Sequence, residues 1–519
     1  MPRIPHGLIV TVNDLRAARH ELAAASQQTP LGFAATRPGK LTDYNFLFPR
    51  LQNDPYNLLP EGQTTRDNLV QLGRAMHDTG DSGDGEMPAV YTYFGQFVDH
   101  DITCDMVSAP LPELLSPELR PLTHAEMRGR LRNMRTGTLD LDSVYGLPAP
   151  RDPQDARKVQ VGRVDPVPGA DILPNLRPAG KDDENDLLRM PRNETDSKND
   201  RAALIGDPRN DEHAIISQMH VAFLRAHNAL VNRGHGFSEA SRLLRQHYQF
   251  LVLDDFLPRV ADAQIVGAIL NNGNRIYDGL AEPFFMPLEF SVAAFRFGHS
   301  LVRPAYNYNL NFNFSDAQGT RPATLRLLFH LSAFAGGLAG HDTLPENWII
   351  EWERFVGEGE INRARRLDTK LVEPLFHLRD VTGMPEQGDG ARLAVRNLLR
   401  GYLLRIPTGQ AVARELGQDP LTPGQIIAAS ASDKQAQALT EAGFLEHTPL
   451  WFYLLAEAAH GGGQRLGLVG SVIVAEVLIG LIRRSQDSIL RTSGWQPTLR
   501  GDGSGQFELP DLLRLAGVL

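Results

Sequence analysis

Cysteine is almost absent from this sequence, which has a single one, Cys104, among its 519 residues. One cysteine excludes a disulfide within the chain, and this is typical of a reducing compartment or of a fold large enough to need no cross-links. The amino terminus also lacks the charged start and apolar core of a secretory signal. We therefore expect a cytoplasmic protein, or one that is exported by a non-standard route.

Long apolar runs and basic tracts are missing as well. The longest apolar run, residues 466–482, is too short for a comfortable membrane span and contains Glu476, so it predicts a buried helix. The formal net charge of −10 argues against a nucleic-acid surface. We expect neither a membrane span nor a nucleic-acid partner, and the sequence leaves the oligomeric state open.

Alternating strand patterns and internal repeats are scarce, whereas helical periodicity is frequent. Apolar residues spaced three and four apart predict helices over residues 14–27, 64–78, 207–233, 238–257, 290–302, 321–334, 391–404 and 468–490. Residues 44–49 are interpreted as an extended arm, and residues 148–201, rich in Pro, Asp, Arg and Gly, as a long surface loop. The predicted fold is mainly α-helical, with very little β-structure. We expect a single large domain over residues 1–519, made of an N-terminal wrapping arm (1–75), a core (76–485) and a C-terminal tail (486–519).

The most informative segment is residues 93–102, which has the sequence Tyr-Phe-Gly-Gln-Phe-Val-Asp-His-Asp-Ile. Spacings of three and four residues place Gln96, Asp99 and His100 on one helical face. An apolar stripe of the same period predicts a buried helix whose last turn is polar: Val90, Tyr93, Phe94 and Phe97. Taken alone, such a turn is most often a paired structural group.

A second segment begins at Asp207, which can cap a helix whose first turn accommodates Pro208. Arg209 and Glu212 then share a face. An Arg-x-x-Glu pair by itself is usually a surface salt bridge. His220 and the pair at 227–228 follow on the same predicted helix.

A third element is the segment 295–301, where His299 lies among apolar residues and follows Gly298. A lone histidine on an apolar helix is usually a satisfied core residue. About a hundred residues later, the segment 395–401 contains Asn397, a side chain that could orient a ligating imidazole.

The loop 136–146 alternates oxygen-bearing side chains with others. Hard oxygen ligands of this kind suit calcium. Without further information the loop could equally be an ordinary acidic turn.

Together these segments resemble the motifs of the animal-type haem peroxidase superfamily, beginning with the distal-histidine motif at Gln96–Asp101, and we expect a bacterial member of it. The resemblance implies a haem buried between core helices. It implies that His100, Arg209 and Gln96 are catalytic and that His299 binds the haem iron. It further implies that Asn397 orients His299. The remaining implied haem contacts are propionate pairing by Arg296 and Arg400 and ester links to haem from Asp99 and Glu212. The same resemblance implies one Ca²⁺ ion, bound by Asp101, Thr136, the Thr138 carbonyl, Asp140 and Asp142.

The implied function is a peroxidase that uses hydrogen peroxide to form compound I and then oxidises halides, pseudohalides or phenolic donors. The sequence departs from the family pattern at His213, which stands where a methionine would form a third haem link, so weak chloride oxidation is expected. Residues 402–404 and the missing disulfides are further departures.

Two alternative functions compete with the peroxidase interpretation. Fatty-acid dioxygenases of the same superfamily need a radical tyrosine three residues before the proximal histidine, and Arg296 occupies that position here. A non-catalytic haem or calcium adhesion module would be expected to lose His100 or Arg209, and both are present.

Overall fold

Helices provide most of the regular structure, which confirms the mainly α-helical prediction. The computed structural model describes residues 10–11, 41–78, 83–107, 114–145, 150–166, 176–193, 195, 200–315, 320–333, 337–357, 359–378, 386–500 and 504–519. In these residues the α-helices are α1 (Gln63–Ala75), α2 (Val90–Ile102), α3 (His124–Arg130), α4 (Asp142–Tyr145), α5 (Ala214–Asn232), α6 (Phe237–Phe250), α7 (Leu257–Val260), α8 (Ala263–Asn272), α9 (Leu325–His330), α10 (Leu393–Leu403), α11 (Gly409–Glu415), α12 (Pro423–Ala428), α13 (Asp433–Glu441), α14 (Leu450–His460), α15 (Leu468–Arg484) and α16 (Leu509–Leu515).

The strands are short: β1 (Val10–Thr11), β2 (Thr42–Asn45), β3 (Asp84–Pro88), β4 (Asp105–Val107), β5 (Leu131–Asn133), β6 (Phe285–Pro287), β7 (Ala305–Tyr306), β8 (Ala323–Thr324) and β9 (Arg363–Arg365). Five of them form a mixed sheet in the order β1-β4-β5-β2-β6. Asp43 of β2 pairs with Arg132 on one side and with Phe285 on the other. The start of the predicted arm is therefore an inner strand. Because β4 follows α2 and β6 precedes the segment of His299, this sheet joins the two sides of the site described below.

Helix α2 is the predicted helix of Gln96, Asp99 and His100. Its apolar stripe is buried, and Phe97 stacks on Phe223 of α5 with ring centroids 4.4 Å apart. The helix ends at Thr103, whose N–H donates to the Asp99 carbonyl at 2.9 Å. Burial of the aromatic side holds the polar last turn at a fixed place against α5.

The segment of His299 differs from the single helix predicted over 290–302. A π-helical turn, Glu289–Ala293, leads into a 3₁₀ helix, Ala294–Leu301. Side chains three residues apart eclipse one another in a 3₁₀ helix, so Arg296 and His299 project on the same side. The apolar pattern alone does not distinguish a period of 3.0 from one of 3.6.

Other predicted helices are divided or shortened. The predicted helix 207–233 consists of a 3₁₀ turn, Pro208–Asp211, followed by α5. The predicted helix 238–257 is interrupted by a π-helical stretch, Leu251–Phe256, between α6 and α7. The predicted helix 14–27 lies outside the described residues. The domain boundaries at residues 75 and 485 stay predictions.

The described parts of the predicted loop 148–201 contain isolated bridges but no helix or strand. The loop is not simply a surface excursion, because the buried side chain of Arg189 bonds the carboxylates of Asp186 and Asp211 at 2.8 and 2.7 Å. This pairing docks the loop against the segment that carries Arg209.

The apolar run 466–482 forms most of α15, a buried helix as predicted. No helix in the described ranges combines the length and apolarity needed to cross a bilayer. Within α15, the buried carboxylate of Glu476 accepts the amide of Asn274 at 3.0 Å. It also accepts the backbone N–H groups of Arg275, Ile276 and Tyr277 at 2.9, 3.3 and 3.3 Å. The carboxylate within this apolar helix thus accepts the hydrogen bonds of the backbone and side-chain donors that follow α8.

Replacing Glu476 by alanine should lower the free energy of unfolding by about 1 to 3 kcal/mol, because it leaves the buried N–H of Tyr277 and three partly buried donors without their acceptor. Glu476→Gln keeps one oxygen and should cost less. Urea unfolding followed by circular dichroism measures both. Equal stability of the alanine variant and the wild type would contradict this account.

Candidate active site

A cavity with about 910 Å³ of empty space, counting its open mouth, lies between α2 and the 3₁₀ helix of His299. Its polar wall comes from three of the predicted motifs: Gln96, Asp99, Glu212, Arg296 and His299. The rest of the wall is largely aromatic and aliphatic, and includes Phe256, Phe295 and Phe329. The structure therefore brings residues of the α2 segment, the Glu212 segment and the His299 segment to one largely apolar pocket, which is the usual setting for a cofactor.

His100 belongs to the same helix as Gln96 and Asp99, but it is fully buried and is not among the residues that line the cavity. Its Nδ1 is 2.8 Å from Oδ1 of Asn210, and the Asn210 amide nitrogen is 3.0 Å from Nδ1 of His220. If the Asn210 oxygen accepts from Nδ1, that nitrogen carries the proton and Nε2 is left as the basic atom. Burial, together with the charge of Arg209, lowers the pKa of His100 to about 3, so the ring is neutral at ordinary pH.

Arg209 is also buried without lining the cavity, and it pairs with Asp207 rather than with Glu212. Its Nη2 is 2.7 Å from the Asp207 carboxylate and donates to the carbonyls of His100 and Thr103 at 3.1 and 2.6 Å. Asp207 bonds the guanidinium of Arg135 as well. Burial alone would raise the pKa of Asp207, but the two positive charges bring it well below its usual value. The cluster clamps the end of α2.

Gln96 on the wall is oriented by His213. The Nδ1 atom of His213 accepts the N–H of Ile216 at 3.3 Å, so its Nε2–H donates to the Gln96 oxygen at 2.9 Å. The Gln96 amide then points toward Glu212, 3.5 Å away. Burial lowers the pKa of His213 to about 3, which keeps the ring neutral. His213 therefore orients Gln96. The sequence shows only that His213 replaces a methionine and does not predict this contact.

On the opposite wall, Nδ1 of His299 is 2.9 Å from the amide nitrogen of Asn397 in α10. The Asn397 oxygen accepts from Nη1 of Arg296 at 3.3 Å. Asn397 thus contacts His299, the residue it is predicted to orient, through its amide nitrogen, while its oxygen is engaged by Arg296. Burial and the charge of Arg296 lower the pKa of His299 to about 3, so the imidazole is neutral.

Arg296 and Arg400 form a cationic corner beside this wall. Burial and the charge of Arg400 lower the pKa of Arg296. The Nη2 atom of Arg400 bonds Asp105, which also accepts the hydroxyl of Tyr44. Nε and Nη1 of Arg400 are buried with no hydrogen-bond partner among the described residues. Buried guanidinium donors without acceptors fit additional carboxylates, such as those of a haem.

The loop 136–142 is folded against Asp101, the neighbour of His100. The carboxylate of Asp101 accepts the N–H groups of Leu141 and Ser143, both at 3.1 Å. Leu141 is held in the left-handed region with φ 56°. A Cβ on Gly206 would lie 2.5 Å from the Ser143 carbonyl, so glycine is required where the chain enters the Arg209 segment.

Three acidic side chains of this loop region, Asp101, Asp140 and Asp142, lie close together. Burial, with the charge of Asp142, raises the pKa of Asp101, and burial raises that of Asp140 to about 6. Oδ1 of Asp140 is buried with no hydrogen-bond partner in the described chain. The hydroxyls of Thr136 and Thr138 bond Asp142 and Asp140, and no three acidic, histidine or cysteine side chains in the described ranges are arranged to hold a metal ion as they stand.

The predicted distal and proximal residues are thus assembled around one site, but several of their partners were not identified from the sequence. Asp207, Asn210 and His220 connect to Arg209 and His100 through contacts between elements. The sequence marks Asp207 only as a capping residue and His220 only as part of the same helix, and the one further signal of these contacts is an unusual density of polar residues near the start of a buried helix.

A family model for the animal haem peroxidases matches residues 118–334, which include loop 136–142, Arg209, Glu212 and His299. The chain is 27% identical over 412 residues to a peroxidase-like protein of Margaritifera margaritifera, a match that covers 66% of this chain and 46% of that protein. The chain therefore spans less than half the length of this curated relative.

Two solved structures share the fold. Peroxidase A from Dictyostelium discoideum superposes with a TM-score of 0.52 and 19% identity, over 81% of this chain and 83% of that one. A fatty acid alpha-dioxygenase of Arabidopsis thaliana also reaches 0.52, with 13% identity, over 92% of this chain and 81% of that one. At such identities the likeness shows the fold, and the choice of chemistry rests on the site residues.

Proposed function

We propose that this chain, which belongs to the animal haem peroxidase superfamily, is a haem-dependent peroxidase that reduces hydrogen peroxide and oxidises small electron donors. The observation that carries the proposal is the cavity with neutral His299 on one wall and the helix of Gln96, Asp99 and His100 on the other. Family membership implies the haem. The lining residues of the cavity, and the unpartnered guanidinium donors of Arg400 beside it, support its placement there.

His299 would hold the haem iron through Nε2, which requires its proton to be on Nδ1. Asn397 would then present its oxygen to that proton. A half-turn of the Asn397 amide achieves this and gives up the 3.3 Å bond from Arg296. Arg296 is thereby released to pair with a haem propionate, as we propose also for Arg400. The same rotation of the Asn397 amide therefore provides an acceptor for His299 and frees Arg296 for a propionate.

Haem supplies the redox chemistry toward peroxide. The protein residues supply proton transfer and charge stabilisation. His100, neutral and held through Nδ1 by Asn210, would take a proton from one oxygen of hydrogen peroxide at Nε2 and return it to the departing oxygen. Arg209 would stabilise the negative charge that develops as the O–O bond breaks. Gln96, fixed by His213, would orient the peroxide or a halide at the wall.

The proposed donors are halides, pseudohalides and phenols. Because His213 is occupied with Gln96 and offers no thioether, we propose that no sulfonium link forms and that chloride is a poor donor. The fold is shared with a fatty acid alpha-dioxygenase, but the site argues against that alternative, since Arg296 is on the wall at the position where a radical tyrosine would be needed. Both Arg209 and His100 are retained, which argues against a non-catalytic module.

We propose covalent attachment of haem through esters of Asp99 and Glu212. Both carboxylates line the cavity, Asp99 from α2 and Glu212 from the position directly after the 3₁₀ turn of Arg209. Burial raises the pKa of Asp99 despite the nearby charges of Arg209 and Arg296.

We propose that Ca²⁺ is bound by Asp101, Thr136, the Thr138 carbonyl, Asp140 and Asp142. The crowding of buried like charges and the unpartnered oxygen of Asp140 support a cation. Binding would require the threonine hydroxyls to exchange their bonds to Asp140 and Asp142 for bonds to the metal. The ion would join the loop to the residue after His100.

Removing His100 or Arg209 should slow the reaction of the haem-loaded protein with peroxide by roughly a hundredfold or more. His227→Ala, which removes a buried histidine outside the cavity, is the matched control. Stopped-flow spectra of the haem band measure the rate. Wild-type rates in His100→Ala, or oxygen uptake with an unsaturated fatty acid in the absence of peroxide, would contradict the proposal.

The same rate should stay level between pH 7 and pH 5, because His100 with a pKa of about 3 remains neutral there. Protonated His100 cannot accept the peroxide proton, so the rate is lost as the pH falls through the pKa of His100. Asn210→Asp places a carboxylate at Nδ1 and should raise that pKa by about one to three units. The acid limb of the pH profile should move upward in this variant and not in Asn210→Ala.

Acidified acetone should leave haem on the chain after several turnovers with peroxide, because ester links form at the two cavity carboxylates. Asp99→Asn and Glu212→Gln should each weaken retention, and the double variant should release all haem. Glu457→Gln, at a carboxylate outside the cavity, is the control. Complete extraction of haem from the wild-type protein would show that no ester links form and would contradict the assignment of Asp99 and Glu212.

Chelation should lower both the rate with peroxide and the thermal stability, since the ion ties the loop to α2. At calcium about a hundred times above Kd, the loss in free energy of unfolding should be roughly 3 kcal/mol. Asp140→Asn should weaken calcium binding, and Asp419→Asn, at an exposed position, should not. The site is misassigned if exhaustive chelation, verified by metal analysis, changes neither quantity.

A further inference from the structure

Tyr91 is a wall residue that the proposed chemistry does not use. It lies in the first turn of α2, lines the cavity and is only 3% exposed. Its hydroxyl donates to both carboxylate oxygens of Asp255, each at 2.9 Å. A phenol on the wall of a redox cavity is therefore in direct contact with a buried base.

The Asp255 carboxylate is positioned by groups on two other elements. Nε and Nη2 of Arg259 donate to it at 2.9 and 2.7 Å, and the N–H of Leu509, the first residue of α16, donates at 2.8 Å. The guanidinium of Arg259 also stacks over the Tyr91 ring, 4.4 Å from its centre, and its side chain is 35% exposed. The Tyr91 ring thus lies between the cavity and a side chain that reaches the surface.

We propose that Tyr91 is a redox-active tyrosine that passes single electrons from donors outside the cavity to the haem within it, with Asp255 as its proton acceptor. The inference rests on the proposed function, which supplies hydrogen peroxide as the oxidant. Each peroxide takes up two electrons and two protons and becomes two molecules of water. When one of these electrons leaves Tyr91, the phenolic O–H bond breaks and the proton moves to Asp255, leaving a neutral tyrosyl radical. A donor then returns the electron, and Asp255 returns the proton.

The proton acceptor distinguishes Tyr91 from its neighbour Tyr93, which also lines the cavity. The hydroxyl of Tyr93 is bonded at 2.7 Å to the hydroxyl of Tyr306, which is not a base. Burial raises the pKa of both wall tyrosines, so neither forms a phenolate first. Loss of an electron without its proton would leave a buried cation, which is costly. Only Tyr91 of these two can release both together.

Position on the helix supports the same assignment. Tyr91, Gly95 and Asp99 are four residues apart, so they share the face of α2 that lines the cavity. Eight residues of helix separate Tyr91 from Asp99, a rise of about 12 Å. Tyr91 is therefore at the far end of the wall from the carboxylate proposed to hold the haem.

The test is to mix the haem-loaded protein with hydrogen peroxide in the absence of a donor, freeze it and record electron paramagnetic resonance spectra. A tyrosyl signal is expected in the wild type and in the control Tyr93→Phe, and its loss is expected in Tyr91→Phe. Asp255→Asn should lose most of the signal, because an amide does not accept the proton, and Asp255→Glu should restore it. Spin-trap adducts mapped by mass spectrometry should lie on Tyr91.

A signal that persists in Tyr91→Phe, or that disappears in Tyr93→Phe alone, would overturn the assignment. So would a haem band that responds to peroxide in a wild-type protein with no tyrosyl signal, and that outcome leaves the proposed peroxidase function standing. A haem band that does not respond to peroxide would overturn both.

Discussion

The distal half of the site depends on one buried ion cluster, in which the Asp207 carboxylate is shared by Arg135 and Arg209. Burying an isolated charge is expensive, and breaking a buried pair leaves its partner uncompensated. Arg135 follows β5 and precedes the loop of Asp140, while Arg209 holds the last carbonyls of α2. The cluster therefore holds the end of α2 with His100, the loop of Asp140 and the turn of Arg209 in fixed positions relative to one another. Under the proposed function, the charge of Arg209 that would act on peroxide is the same charge that holds this unit together.

The two walls of the cavity are organised by different means. On the distal side, neutral side chains form a chain of hydrogen bonds in which His213 fixes Gln96 and Asn210 fixes His100. On the proximal side, Asn397 lies between an imidazole and a guanidinium and can serve only one of them with its oxygen. Under the proposed function, the carboxylates of a haem would pair with Arg296 and leave the Asn397 oxygen to His299.

The sequence predicts the parts of this site that depend on local spacing. Gln96, Asp99 and His100 share a face because a helix with their apolar stripe must be buried on one side, and α2 is that helix. The 3₁₀ geometry of His299 was not predictable, since Phe295, Phe297 and Leu301 suit either helical period. Asp207 could be interpreted as a capping residue, but its contact with Arg135 and the contact of Asn210 with His100 span 72 and 110 residues and follow only from the tertiary fold. The helices α11, α12 and α13 were missed because they are short, whereas α14, which is as long as α10, was missed because it is apolar and buried on nearly all sides and so shows no clear period.

The pairing of β2 with β6 has a consequence for how the protein is made. Asp43 and Phe285 are neighbours in the sheet, although about 240 residues of chain separate them. During synthesis β2 has no β6 to pair with until about 240 further residues have been made, and long-range pairings of this kind form slowly. His299 emerges soon after β6, but Asn397 follows another hundred residues later. The cavity is therefore completed only after residue 397 has been synthesised, and until then the aromatic side chains that line it lack part of their packing.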